Sequence, residues 1–339
     1  MLTVTSARLA KVFVMSLAAL VLTLPNAGQS QAKEIQLKLV TAFPFNGPAG
    51  IKVEIPKLFI KEFNKRAKGK AKIVIVGGPE VVSPFDQLKA LQDRQFDMMV
   101  TTSLYFKALR PMQFYHYIPY DRQVAAMKTG YKLMQEISRK EAGVVFLFIG
   151  FQGQSFRIWT TKKPIRVAGD LKGMKIRTFG DTTKPLAQHL RIAPVSIPSN
   201  EVYTALRSGL LDGALRESLS LDVLKESDFL KYGIQASVAD INGEVFISAR
   251  TWDGLPADVK KIMNDTSRWV EPVGYKLMKN IVSKNLSKLK AKQGVKLVPS
   301  DPGLVKALAG VRRDIIAKVL AGSPWKDRIV KEFNLQDQM

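Results

Sequence analysis

The sequence predicts an α/β fold, because segments with strand patterns alternate with segments that have the period of an amphipathic helix. Apolar residues alternate over Glu34–Thr41, and the strand patterns Ile73–Val76 and Phe96–Thr102 follow, with the helix patterns Ile51–Arg66 and Phe85–Arg94 between them. Such alternation favours a parallel sheet covered by helices. The 339 residues, 46% of them hydrophobic, suffice for one large or two medium domains.

The same alternation continues through the middle of the chain. A helix pattern at Ala125–Ala142 precedes a continuous apolar run at Val144–Phe151, which is typical of a buried strand. Two shorter strands are expected at Arg157–Thr161 and Met174–Phe179. The middle of the chain is therefore expected to extend the same layered architecture.

The C-terminal third contains one exceptionally long helix pattern. Ser199 is a plausible N-cap of a helix that Gly209 ends, and a strand is expected at Glu244–Ala249. Apolar residues then recur at three- and four-residue steps through Pro256–Lys292. At about 1.5 Å per residue such a helix would extend roughly 50 Å, with a kink near Pro272. Because this exceeds the width of one small domain, we expect the helix to run along two lobes.

Residues 1–32 have the pattern of a secretory signal peptide. Arg8 and Lys11 form a basic start, Val12–Leu24 is apolar, and Ser30-Gln31-Ala32 supplies a small-x-small cleavage site before Lys33. The apolar run is shorter than the roughly 20 residues that span a bilayer, so a membrane anchor is the less favoured alternative. We expect an exported, periplasmic protein that is not embedded in the membrane.

Composition excludes several functional classes. The chain has no cysteine, which rules out disulfides, thiol catalysis and zinc–thiolate sites. A formal net charge of +23 favours anionic partners, but the basic stretches Lys61–Lys72 and Lys284–Lys296 lack the aromatic residues that stack on bases, so no nucleic acid is expected. His116 and His189 are far apart in sequence, and no phosphate-binding or hydrolase motif is present. We therefore expect no enzyme, no cofactor and no metal site.

Two arginines on short strand patterns are the candidate binding residues. Arg157 and Arg177 each lie on an apolar-alternating run, and Phe179-Gly180-Asp181 then opens a helix. A guanidinium at a strand end, beside a helix N-terminus, is suited to hold a carboxylate by two parallel hydrogen bonds. Other side chains could either line a cleft or pack in the core: Phe45, Tyr105, Phe151, Gln154 and Phe179.

The chain resembles the solute-binding subunit of tripartite ATP-independent periplasmic (TRAP) transporters, of the dicarboxylate-binding (DctP-like) type. The resemblance is carried by Leu171–Arg177 after Asp170, by Glu201–Leu206, and by Asp212 with the following glycine. The segment Phe85–Asp97 supports it upstream. The resemblance extends from about residue 35 to residue 300, and its Asp170–Asp212 part is highly specific.

The resemblance implies a two-lobed periplasmic-binding-protein fold, similar to type II, with a long helix spanning both lobes. Lobe I would comprise residues 33–154 and 243–282, and lobe II residues 155–242 and 283–339. The lobes would close on a small carboxylate-bearing organic acid and deliver it to TRAP membrane permease subunits. The alternatives are a binding protein that presents its ligand to a sensor kinase, and a basic exported interaction module.

The resemblance also implies roles for individual residues. Arg177 matches the position that pairs with the ligand carboxylate, and Arg157 matches a supporting arginine of the cleft. Further ligand contacts are implied for the loop after the first strand and for the residues after the third strand, namely Phe45, Asn46, Thr101, Thr102 and Tyr105.

One departure from the family pattern concerns Arg216. Many members have Gln-Glu-Asn-Pro after Asp212-Gly213, whereas this chain has Ala214-Leu215-Arg216-Glu217. Arg216 is either a third cation of the cleft, suited to a second acidic group, or a structural partner of Glu217 or Asp212. The sequence leaves both readings, and with them the identity of the acid, open.

Overall fold

Strands and helices alternate through most of the chain in the computed structural model, which describes residues 34–46, 48–118, 120–197 and 199–339. The predicted signal peptide, residues 1–32, lies outside this part. The strands in chain order are β1 (Ile35–Thr41), β2 (Ala71–Gly77), β3 (Met98–Thr101), β4 (Val144–Thr160), β5 (Lys175–Thr178), β6 (Ala193–Ser196), β7 (Gly213–Arg216), β8 (Tyr232–Ile234), β9 (Ala239–Ser248) and β10 (Lys296–Val298).

The α-helices vary in length from 6 residues to 37. In chain order they are α1 (Glu54–Arg66), α2 (Gln87–Gln92), α3 (Tyr120–Ala142), α4 (Thr183–Leu190), α5 (Val202–Arg207), α6 (Ser218–Val223), α7 (Ala249–Gly254), α8 (Ala257–Gln293), α9 (Pro302–Leu320) and α10 (Lys326–Glu332). Within the described chain, none of them is long and apolar enough to cross a bilayer.

The sheet is mixed, and two long strands occupy its middle. The strand order is β2-β1-β3-β9-β4-β7-β5-β6, with β8 paired to β4 and β10 paired to β8. β1 runs parallel to β2 and β3, and β5 runs parallel to β6 and β7. β9 is antiparallel to β3 and β4, and β4 is antiparallel to β7. The predicted parallel layer is thus correct at both ends of the sheet and wrong at its centre.

β4 is one strand of 17 residues where the sequence predicts two. Its pairing with β9 shifts register between Ile149 and Phe151 and again between Phe151 and Gln154. Each shift breaks the regular alternation of side chains between the two faces. The strand continues through the break, but its sequence pattern does not, which explains the prediction of two strands.

The long helix is confirmed and contacts both halves of the sheet. Val270 and Met278 of α8 belong to the buried cluster around β1, whereas Leu289 belongs to the cluster around Trp159 of β4. α1 crosses closely at Gly274, where a Cβ atom would lie 2.8 Å from the Ile55 side chain. The 37 residues correspond to a length of about 55 Å. The helix therefore packs against both ends of the sheet from one side.

Ser199 does not cap a helix, contrary to the prediction from the sequence. α5 begins at Val202, and no side chain caps it. Ser199 lies instead in a short 3-10 helix, and its hydroxyl accepts a hydrogen bond of 2.7 Å from Arg216. The hydroxyl of Ser199 thus helps to hold an arginine of the neighbouring strand.

Candidate binding site

Arg177 lies on β5, between β6 and β7, and this central position buries its side chain. Only 5% of the residue is exposed. Its Nε donates to the Ile197 carbonyl and its Nη1 to the Leu215 carbonyl, both at 3.3 Å. The guanidinium carbon lies 4.7 Å from the centre of the Phe179 ring. The backbone and the ring therefore hold the guanidinium in place without neutralising its charge.

The Arg177 charge has no close counter-ion within the described part of the chain. No described carboxylate lies within ion-pair distance of its nitrogens. Burial, and then the positive charge of Arg216, lower the pKa of Arg177 to about 10, against the opposing effects of Glu217, Glu226 and Tyr105. The group stays protonated at neutral pH. It is a buried cation with hydrogen-bonding capacity to spare.

Arg216 is buried as deeply as Arg177, with 2% of the residue exposed, but it is fully paired. Its Nε donates to Glu226 Oε2 at 2.8 Å, and Nη2 contacts Glu226 Oε1. Nη1 and Nη2 also donate to the hydroxyl and carbonyl of Ser199. Arg216 is therefore a structural ion-pair partner, but its partner is Glu226 and neither of the two acids considered from sequence. Asp212 instead accepts the Lys175 amide at 2.9 Å and holds the turn before β7.

Glu217 forms a second buried ion pair, which connects distant parts of the sequence. Lys52 Nζ lies 2.7 Å from Glu217 Oε1, and the Ser220 hydroxyl also donates to this oxygen. Burial raises the pKa of Glu217, but the charges and hydrogen bonds of Lys52, Arg216 and Ser220 outweigh it and lower the pKa to about 2. Lys52 belongs to the 3-10 helix Pro48–Val53 after β1. Its pairing with a residue after β7 was not predictable from local sequence patterns.

Tyr105 completes the group around Arg177. It ends the 3-10 helix that follows β3, and its ring lies 4.9 Å from that of Phe85. Burial raises the pKa of Tyr105, with a further increase from Glu217 and opposing effects of Arg177 and Arg216. The charges of Glu217, Arg177 and Arg216 therefore all act on the phenol of Tyr105. The structure thus brings together three predicted site residues, Tyr105, Arg177 and Arg216, with Phe179 beneath Arg177.

Arg157 lies in a different environment. It is directly opposite Arg216 in the β4–β7 pairing, yet its Nε donates to the Gln235 carbonyl at 3.1 Å and its Nη1 to the Ser155 carbonyl. Burial lowers its pKa, and the charge that opposes this effect is Asp240. Asp240 accepts a 2.6 Å hydrogen bond from Ser155. Arg157 therefore has two backbone carbonyls as hydrogen-bond partners, and the charge that acts on its pKa is that of Asp240.

The structure places the remaining predicted residues as follows. Thr101 and Thr102 are buried, and their hydroxyls have no hydrogen-bond partner in the described structure. Phe151 packs in the core, edge-on to Phe43 at 5.1 Å. The other predicted positions are Phe45, whose ring lies 4.9 Å from Lys57 Nζ, Asn46, which is exposed, and Gly180, which has a φ of +53°. The side chain of Gln154 lies outside the described part.

His116 has internal partners that its position in the sequence does not indicate. His116 Nδ1 accepts the Asn242 amide at 3.1 Å, and Nε2 lies 2.9 Å from the Ser103 hydroxyl and 3.2 Å from Glu244. All four residues are fully buried. Both ring nitrogens are therefore occupied by internal partners, and the network ties β9 to the segment after β3. Among the described residues no cluster of three or more His, Asp or Glu side chains could hold a metal ion.

Comparison with known families assigns this fold. The family described as "Bacterial extracellular solute-binding protein, family 7" (DctP) matches residues 47–317. The chain belongs to this family. A curated relative, the C4-dicarboxylate-binding periplasmic protein DctP of Rhodobacter capsulatus, is 22% identical over 207 residues, which cover 58% of this chain and 60% of the relative.

Solved structures of TRAP periplasmic solute-binding proteins have the same two-lobed fold. A TRAP periplasmic solute-binding protein from Rhodobacter sphaeroides superposes with a TM-score of 0.77 at 19% identity, covering 89% of this chain and 99% of that one. A second one, from Pseudoalteromonas atlantica with bound sodium and pyruvate, gives a TM-score of 0.74 at 23% identity, with 90% and 95% covered. The predicted TRAP resemblance and fold class are confirmed.

Proposed function

We propose that this DctP-family protein captures a small organic anion by its carboxylate, on the guanidinium of Arg177, and delivers it to the membrane permease of a TRAP transporter. The proposal depends on one observation: Arg177 is a buried cation with no carboxylate partner among the described residues. Buried charges in proteins are normally paired. A ligand carboxylate would supply the missing partner by two parallel hydrogen bonds.

The relatives support the class of ligand. The Rhodobacter capsulatus protein is named for C4-dicarboxylates, and the Pseudoalteromonas atlantica protein holds pyruvate. Both compounds are small acids with a carboxylate, the group that a guanidinium binds best. The chemistry of Arg177 and the ligands of these proteins therefore agree.

The surroundings of Arg177 favour capture by closure of two lobes. Lys52 and Tyr105 belong to the proposed lobe I, residues 33–154 and 243–282, whereas Arg177 and Glu217 belong to the proposed lobe II, residues 155–242 and 283–339. The Lys52–Glu217 pair would then join the lobes across the ligand. A ligand that contacts both lobes stabilises the closed state by its differential affinity for it.

Replacing Arg177 tests the proposal directly. We expect Arg177→Ala to cost about 2–5 kcal/mol of ligand binding, or roughly 30- to several-thousand-fold in Kd, because a ligand carboxylate would be buried without its partner. A thermal-shift screen of organic acids identifies the ligand, since specific binding to the native state raises Tm. Isothermal titration then gives Kd for the wild type and the variant.

The matched control is Arg207→Ala, at an exposed arginine of α5. It removes the same charge from the chain without touching the group around Arg177, and we expect its Kd to equal that of the wild type. An Arg177→Ala variant that folds and binds the ligand with unchanged Kd would contradict the proposal.

Delivery and export need separate measurements. We expect uptake of the ligand by cells to require both this protein and the two membrane subunits of a TRAP transporter. We also expect export to remove residues 1–32, so that mass spectrometry of the periplasmic protein finds Lys33 at its N-terminus. Uptake that persists without the membrane subunits would refute the permease assignment alone.

A further inference from the structure

The charges around Arg177 nearly cancel one another. Arg177 pairs with Ala214 on the neighbouring strand β7, which ends at Arg216. Arg216 forms an ion pair with Glu226, and the next residue, Glu217, forms one with Lys52. The site therefore contains three cations and two carboxylates. Tyr105 adds no charge, because burial and the negative charge of Glu217 raise the pKa of its phenol.

Each carboxylate already has its own cation. Glu226 takes two hydrogen bonds from Arg216, and Glu217 lies 2.7 Å from Lys52 and also accepts from Ser220. Arg216, Glu217 and Glu226 are at most 2% exposed, so solvent screens these pairs little. The unpaired positive charge that remains is that of Arg177.

One ligand carboxylate would neutralise the positive charge of Arg177, and a second carboxylate would make the net charge of the site negative. A second ligand carboxylate within the site could lie near Glu217 or Glu226 and repel it. Alternatively, it could pair with Lys52 or Arg216 and so break the ion pair of that residue. Either outcome leaves a buried negative charge unpaired or next to a like charge, which disfavours the wrong ligand strongly. The aromatic rings of Phe179 and Tyr105 offer no charge to compensate.

We infer that the ligand is a monocarboxylate whose remaining part is uncharged, and that Glu217 is the residue that excludes a second carboxylate. This inference rests on the proposed function of Arg177. It also decides between the two readings of Arg216: because Glu226 occupies Arg216, this arginine is not available as a third cation for a second acidic group.

Ligand pairs that differ by one charge test the inference. Suitable pairs are succinamate with succinate, glutaramate with glutarate, and galacturonate with galactarate; the first two differ only by an amide in place of one carboxylate. Titration calorimetry on the exported protein gives Kd for each compound. We expect the monoanion of each binding pair to bind at least about tenfold more tightly.

The variant Glu217→Gln keeps the size of the side chain and removes its charge. We expect it to tighten the binding of the dicarboxylate and to reduce the difference within a pair to less than about threefold. Wild-type protein that binds the dicarboxylate as tightly as the monoanion would overturn the assignment of ligand class. A preference that Glu217→Gln leaves unchanged would overturn the role of Glu217.

Failure of the proposed function has a different signature. If none of these acids, and none in the broader screen, binds the wild type or shifts its Tm, the proposed function and this inference both fall. If acids bind through Arg177 but the monoanions bind no more tightly than the dicarboxylates, only the inference about the ligand class is wrong. Should Glu217→Gln fail to fold, the wild-type comparison within each pair still decides the ligand class.

Discussion

Arg177 and Arg216 lie on adjacent strands of the same sheet and are buried to nearly the same extent, yet their surroundings differ. Arg216 forms a bidentate ion pair with Glu226 and two further hydrogen bonds with Ser199. Arg177 has two backbone carbonyls, a ring and no described carboxylate within ion-pair distance. Burial of an arginine therefore does not by itself reveal its role. The presence or absence of an internal counter-ion separates the structural arginine from the candidate binding arginine.

The largest expected effect is on stability, at Arg216. We expect Arg216→Ala to lower the free energy of unfolding by about 3–5 kcal/mol, because Glu226 would stay buried without its cation. Urea unfolding followed by circular dichroism measures this change. The double variant Arg216→Met with Glu226→Leu serves as control and is expected to recover most of the loss. A loss below about 1 kcal/mol in the single variant would show that the pair contributes as little as a surface pair.

The next largest effect is the acid sensitivity of Glu217. Its pKa in the folded protein, about 2, lies below the ordinary value of 4.5, so its contribution to stability is complete above pH 4.5 and is lost as the pH falls towards 2. This contribution is on the order of 3 kcal/mol. We expect the wild type to lose stability over this interval faster than Glu217→Gln, as measured by thermal unfolding at a series of pH values. Parallel curves for the two proteins would refute this assignment.

A smaller effect on ligand binding is expected at Arg157. Its guanidinium donates to the backbone carbonyls of Gln235 and Ser155, and the charge of Asp240 acts on its pKa. We expect Arg157→Ala to weaken ligand binding by about tenfold at most, well below the effect of Arg177→Ala, because its role would be indirect. Titration calorimetry with the same ligand compares the two variants. Equal losses would instead place Arg157 beside Arg177 at the ligand.

The smallest expected effect is that of salt. Because Arg177 is buried, we expect the ligand Kd to change by less than about threefold between low and physiological ionic strength. A basic surface that attracts anionic polymers would lose affinity steeply over the same range. Calorimetric titrations at several salt concentrations distinguish the two. A steep loss would favour the reading of the chain as a basic interaction module.

The sequence predicted those features that depend on local patterns. The motif around Arg177 singled out the arginine that the structure buries without a described counter-ion, and the periodicity over Pro256–Lys292 predicted α8 almost to its ends. The role of Arg216 could not be predicted because its partner, Glu226, comes close to it only through the turn after α6. The Lys52–Glu217 pair joins residues 165 positions apart, and no local pattern encodes such a contact.

Other differences have equally specific causes. The register shifts near Phe151 interrupt the alternation of side chains along β4, so the sequence pattern did not indicate one continuous strand. The helix α9 was not predicted, although its signals are present: Asp301 accepts the Leu304 amide at 2.8 Å as N-cap, and Pro302 follows it. The antiparallel centre of the sheet was not predicted because strand direction depends on the path of the whole chain.

The two long strands at the centre of the sheet constrain how this protein can move. β4 and β9 pair from Val144 with Ser248 to Phe156 with Ala239, and β4 then continues into pairing with β7. The halves of the sheet are thus joined by a hydrogen-bonded ribbon and not by flexible linkers. Any movement of the two halves of the sheet relative to each other would have to bend this ribbon, most easily at its register shifts around Phe151. If the protein captures its ligand by closure, as proposed, this ribbon would guide the two halves along one direction of bending.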